Sequence, residues 1–202
     1  MLIKIDSAIL LDTFGLLRNM VSSILFVYLK FNIYKDEYGI NVVNIDINDI
    51  NKKTGINIKK INNGLNSLIK NKFILNKENN VYYMFNESEY FDNLRKIQRE
   101  KFYTRGVVFN IKKSFFYKFL KKINNNFLAF RLYYFLLLIT QHDLWPNQLQ
   151  VRSKIPMTET VKLARVWCVE DIFFKNLSLL IEAGLVIVDQ KHKIHTLIKF
   201  VV

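Results

Sequence analysis

Residues 44–86 read NIDINDINKKTGINIKKINNGLNSLIKNKFILNKENNVYYMFN, and the changes of period within this stretch decide the fold. Asn41 to Ile47 alternates as a short strand does. Asn48 is expected to cap a helix of Asp49 to Thr54, which stops at Gly55, a residue free to take a tight turn. Asn57 then caps a second helix. Along it Ile58, Ile61, Leu65, Leu68 and Ile69 recur at helical spacing on one face, with Lys59, Lys60, Asn62, Asn63, Asn66 and Lys70 largely on the other. The helix stops near Lys72, and Phe73 to Asn86 reads as a hairpin with a loose tip over Asn76 to Asn80.

Strand, helix, tight turn, helix and hairpin is an order suited to reading duplex DNA. A lysine and asparagine face supplies cations for phosphates and amides for adenine edges. Lys52 and Lys53, at the end of the first helix, and Lys77, expected at the hairpin tip, extend the cationic set toward the neighbouring backbone. The competing reading is a small helical domain whose polar face is simply solvated. The stretch resembles the winged helix-turn-helix domains of bacterial regulators and small-plasmid replication initiators. That resemblance implies that Asn57 to Lys72 is the recognition helix and Phe73 to Asn86 the wing. Gly64 departs from the pattern of a good helix interior, costing about 1 kcal/mol relative to Ala, and invites close approach of a groove or of another helix.

Working outward, the first 31 residues carry an apolar helical stripe (Leu10, Phe14, Leu17, Val21, Ile24, Tyr28), expected as one long helix or two. Asn32 to Val43 reads as a loop up to the short strand. Residues 87–106 are charged with a thin apolar line and are expected to form a connecting helix ending at Gly106. The domains are therefore expected as 1–86, a connection over 87–106, and 107–202. After the boundary come a strand at Val107 to Ile111 and helices at Ser114 to Ile123 and Phe127 to Gln141.

The second half repeats the order of the first. Phe127 to Gln141, Glu159 to Arg165 behind the cap Thr158, and Glu170 to Ala183 stand for three helices. Phe173, Phe174, Leu177, Leu180 and Ile181 are expected inward, Gly184 ends the helix, and a hairpin follows. The fold class expected is mainly α with small β-hairpins (α+β), as tandem winged helix-turn-helix domains. Glu170 and Asp171 at the start of the second candidate recognition helix repel phosphates, although Arg152, Lys154, Lys162 and Arg165 could contact them. This half is equally suited to packing, to a homodimer or to a protein partner.

The chain has 30 Lys and Arg against 17 Asp and Glu, a formal net charge of +13, with a pI near 9.7. That balance favours a polyanionic partner, although richness in Ile, Asn and Lys also follows from AT-rich coding. A single cysteine, Cys168, excludes an intramolecular disulfide and a cysteine-cluster zinc site, which suits a reducing, cytoplasmic setting. No secretory leader pattern is visible. The apolar run Phe127 to Thr140 is too short for a membrane span, which needs roughly 20 residues. His142, His192 and His195 do not make a convincing metal site, because residues three apart on a strand face opposite ways. No phosphate-cradling glycine loop, HExxH, GxSxG or nucleophile with a base is present. The expected protein is a non-enzymatic, cofactor-free, plasmid- or phage-type binder of double-stranded DNA in replication initiation or transcription regulation. The alternative is a winged-helix adaptor in a replication or conjugation complex.

Overall fold

The computed structural model describes residues 1–11, 20–85, 108–141, 155–156, 170–188 and 193–196. The chain divides into two compact units, Met1–Lys121 and Lys122–Val202. It is a mixed α and β protein with small antiparallel sheets.

The first unit opens on a strand, where the sequence suggested helix. In β1 (Leu2–Asp6) Ile3 and Ile5 point inward while Leu2 and Lys4 face out. It pairs antiparallel with β2 (Val108–Lys112), Ile3 opposite Ile111 and Ile5 opposite Phe109. This pairing carries residues 108–121 into the first unit, and the division between the units falls after Lys121. Between these strands in sequence come the helices α1 (Ser7–Leu11) and α2 (Met20–Lys30). In α2 Ile24, Leu25, Phe26, Val27 and Leu29 are all fully buried, so it forms the central rod of the unit. Following β2, α3 (Lys113–Lys122) brings the Phe116 ring 5.6 Å from that of Phe31. The expected connecting helix of residues 87–106 lies outside the described residues.

The first unit also holds a four-stranded antiparallel sheet. Its strands are β3 (Tyr34–Lys35), β4 (Asn41–Asn44), β5 (Ile74–Glu78) and β6 (Val81–Met84), in spatial order β3-β4-β6-β5. The short β3 lies in what the sequence read as loop. Between β4 and β5 run α4 (Ile47–Thr54) and α5 (Ile58–Lys70). The cap of α4 is Asp46, not Asn48: its carboxylate accepts from the Asn48 and Asp49 amides at 2.8 and 3.2 Å. Placing the cap two residues earlier lets the helix begin at Ile47 and satisfies two of its otherwise unpaired N–H groups. Gly55 closes the helix at φ 72°, in the left-handed region that favours glycine.

The second unit contains α6 (Phe127–Gln141), capped by Asn126, whose side chain accepts from Leu128 and Ala129. From Leu132 to Leu138 every side chain is buried, which explains the nearly uninterrupted apolar run. No helix among the described residues is long and apolar enough to cross a membrane. Beside α6 lie β7 (Ile155–Pro156), α7 (Glu170–Glu182), β8 (Val186–Val188) and β9 (Lys193–Thr196). Phe173, Leu177 and Leu180 of α7 are buried, but Phe174 and Ile181 are 38% and 41% exposed, against the expectation that they face inward. A stripe 13 residues long needs only one side of the helix, and these two sit at its outer margin.

The sheets of the two units share an arrangement. In the first, β4 pairs with β6 and β6 with β5; in the second, β7 pairs with β9 and β9 with β8. The registers agree residue for residue at a constant offset of 112: Val43 pairs with Tyr82 as Ile155 does with Ile194 (155 less 43, 194 less 82), and Ile74 with Met84 as Val186 does with Thr196.

Candidate nucleic-acid interface

α5 is a strongly amphipathic helix. Ile61, Gly64, Leu65 and Leu68 are buried, while Lys59, Lys60, Asn62, Asn63, Asn66 and Lys70 are all exposed. Ile58 and Ile69, expected on the inner face, are instead 44% and 36% exposed and flank the polar face at its two ends. The side-chain oxygen of Asn57 accepts from the Lys59 amide at 2.9 Å and fixes the start of the helix. No Asp or Glu occurs between Ile58 and Lys70, so no carboxylate on the helix offsets its three lysines.

Gly64 is explained by the inner face. A Cβ there would lie 2.5 Å from Leu25 Cδ1 and 3.2 Å from Val21 Cγ1 of α2, and the Gly64 carbonyl accepts from Ser22 Oγ at 3.0 Å. The glycine allows close approach of another helix, not of a groove. It therefore sets how firmly the outward face is held on the rod behind it.

α4 is anchored to the same rod. The Tyr28 hydroxyl donates to Asp49 Oδ2 at 2.6 Å, and Lys53 Nζ reaches that oxygen at 2.7 Å. Lys53, one turn along from Asp49, holds its carboxyl below the usual aspartate range, with Tyr28 adding to the effect. Burial, then the bond to Asp49, pushes the Tyr28 hydroxyl well up, so it remains a donor throughout the working range. Lys53 is thus engaged at its ammonium while its side chain stays 47% exposed. Lys52, beside it, is exposed and carries no ion pair among the described residues.

The hairpin differs from expectation. β5 continues to Glu78 and the turn is only Asn79 and Asn80, at φ 45° and 63°, the two positive angles of a type I′ turn. Lys77 is therefore in the strand, at a bulge between Asn76 and Glu78, and not at the tip. Its ammonium is 2.8 Å from Asp36 and 5.4 Å from the centre of the Tyr83 ring. Lys77 fastens the hairpin to the β3–β4 turn and is not a spare cation.

Sequence reasoning singled out the cations but passed over Asp36, Asp46 and Asp49, which position the elements that carry them. The Asp49–Lys53 spacing of four was readable as a helix pair; the Asp36–Lys77 pairing, 41 residues apart, was not. Arg152, Lys154, Lys162 and Arg165 lie outside the described residues, as do Thr158, the expected helix behind it, Cys168, His142 and His192. Among the described residues no group of three His, Cys, Asp or Glu side chains is placed to hold a metal ion. Comparison with protein-family models, with curated proteins and with solved structures finds no match.

Proposed function

We propose that the chain binds duplex DNA, with Met1–Lys121 containing a winged helix-turn-helix whose recognition helix is α5. The observation that carries this reading is the outward face of α5, on which Lys59, Lys60, Asn62, Asn63, Asn66 and Lys70 are exposed together with no acid on the helix. Lysines there neutralise phosphates, and asparagine amides are the side chains that pair in bidentate fashion with adenine. The tight turn at Gly55, the sheet order β4-β6-β5 and the two-residue hairpin are the surroundings such a helix has in winged-helix proteins. With Lys77 held by Asp36, the wing's contact falls to its backbone and to the Asn79–Asn80 turn.

The matching register of the second unit supports a tandem arrangement, as in the plasmid initiators that the chain resembles. The role we favour is plasmid- or phage-type replication initiation or transcription regulation, exercised by binding and not by catalysis. The acids of α7 favour a second reading for that half, an assembly module that meets protein. The test is selection of duplexes from a random pool by the full chain. A recovered base preference that changes on Asn62→Ala or Asn63→Ala, by about 1–3 kcal/mol at one position, supports the reading. Recovery of no preferred sequence, or one indifferent to both changes, removes α5 as the reader.

A further inference from the structure

The offset of 112 that aligns the sheets also aligns α5 with α7: Ile61 with Phe173, Leu65 with Leu177 and Leu68 with Leu180, all buried. Chemistry is kept on the inner faces and reversed on the outer ones. Lys59 corresponds to Asp171 and Lys70 to Glu182, while Asn62 corresponds to Phe174. All six are exposed. The helix that occupies the recognition position in the second unit therefore presents carboxylates near both ends, with the apolar Phe174 and Ile181 and one lysine, Lys175, between them. The excess of carboxylates on such a face repels phosphates.

We propose that the outward face of α7 is a docking surface for a second copy of this chain, which seats its α5 there. Charge complementarity selects that occupant. Lys59 and Lys70 are separated by 11 residues (70 less 59), as are Asp171 and Glu182 (182 less 171), about 16 Å along each helix. Two lysines thus meet two carboxylates whichever way the helices run. The exposed margins Ile58 and Ile69 of α5 supply apolar surface for Phe174 and Ile181. A net charge of +13 repels copies at long range, but at physiological salt the Debye length is about 8 Å, so the facing charges decide. The contact joins different surfaces of the two copies and is heterologous, allowing further copies to add. Where α5 also binds DNA, as proposed above, docking and DNA binding exclude each other.

The test is sedimentation velocity of the full chain over a range of concentrations at physiological salt. The sedimentation coefficient is expected to rise with concentration in the native chain. Asp171→Lys with Glu182→Lys weakens association by about tenfold or more, as does Lys59→Glu with Lys70→Glu, and the four changes combined restore it. All four residues are exposed, and restoration in the combined variant shows that the separate losses are not failures of folding. A native chain monomeric at every concentration, or association untouched by the α7 reversal, overturns the proposal. Adding duplex separates the two readings. Self-association with charge-swap rescue but no duplex binding keeps the docking face and removes the DNA reading; duplex binding by a strictly monomeric chain does the opposite.

Discussion

The Lys77 ammonium lies 2.8 Å from the Asp36 carboxylate, joining the hairpin to the β3–β4 turn across 41 residues of sequence. The other Asp36 oxygen accepts from the Tyr38 and Ile40 amides, so one side chain both shapes the turn and holds the strand. Lys77, foremost, and those amides keep the Asp36 carboxyl below its ordinary value, against opposing desolvation. Asp36 in turn raises Lys77.

The sign of the pH dependence follows. A depressed carboxyl contributes stability in full above its unfolded value, about 3.9, and loses it as pH falls through the lower folded value. A raised lysine contributes in full below its unfolded value, about 10.4, and loses it only above. Asp36→Asn keeps the turn's acceptor but removes the charge. Its urea midpoint is expected below that of the native chain by a constant margin from about pH 5 to 9, with the margin closing on acidification. A margin unchanged at about pH 2 contradicts the pairing.

Tyr28 holds α4 to α2 through Asp49. Tyr28→Phe removes that donor while Lys53 still satisfies the carboxylate. The expected loss is about 1.5–3 kcal/mol of stability, the scale of a hydrogen bond to a charged acceptor, with the salt slope of DNA binding unaltered because no cation is lost. An unshifted urea midpoint removes Tyr28 from the account.

Gly64→Ala sets two effects against each other. Alanine gains about 1 kcal/mol of helix propensity. The new methyl, however, meets Leu25 at 2.5 Å, and Leu25 is fully buried with the stiff Val21 beside it. Overpacking of this kind costs about 1–3 kcal/mol. The net expectation is destabilisation by about 1 kcal/mol, read from chemical denaturation; a more stable variant means that α2 yields easily.

What was legible in the sequence is what local periodicity encodes. The bounds of α5, α6 and α7, the stop at Gly55 and the polar face of α5 all follow from spacing and capping within a few residues. Long-range pairing was not legible. β1 reads as the start of a helical stripe because its partner β2 begins at Val108, and no local signal marks a strand completed 106 residues later (108 less 2). The same blindness hid the pairing of Lys77 with Asp36 on a distant turn. Ile58, Ile69, Phe174 and Ile181 are assigned inward by their spacing with the other apolar residues, although a helix on one neighbouring rod buries a narrower stripe.

The most direct test of the central claim is the salt dependence of duplex binding by the native chain and by Lys59→Ala with Lys60→Ala. Each phosphate contact contributes about −0.9 to the slope of log affinity against log salt. If α5 is the DNA-binding helix, the folded double variant binds every duplex more weakly and its slope is shallower by about two. Affinity and slope unchanged in a folded double variant would contradict the account.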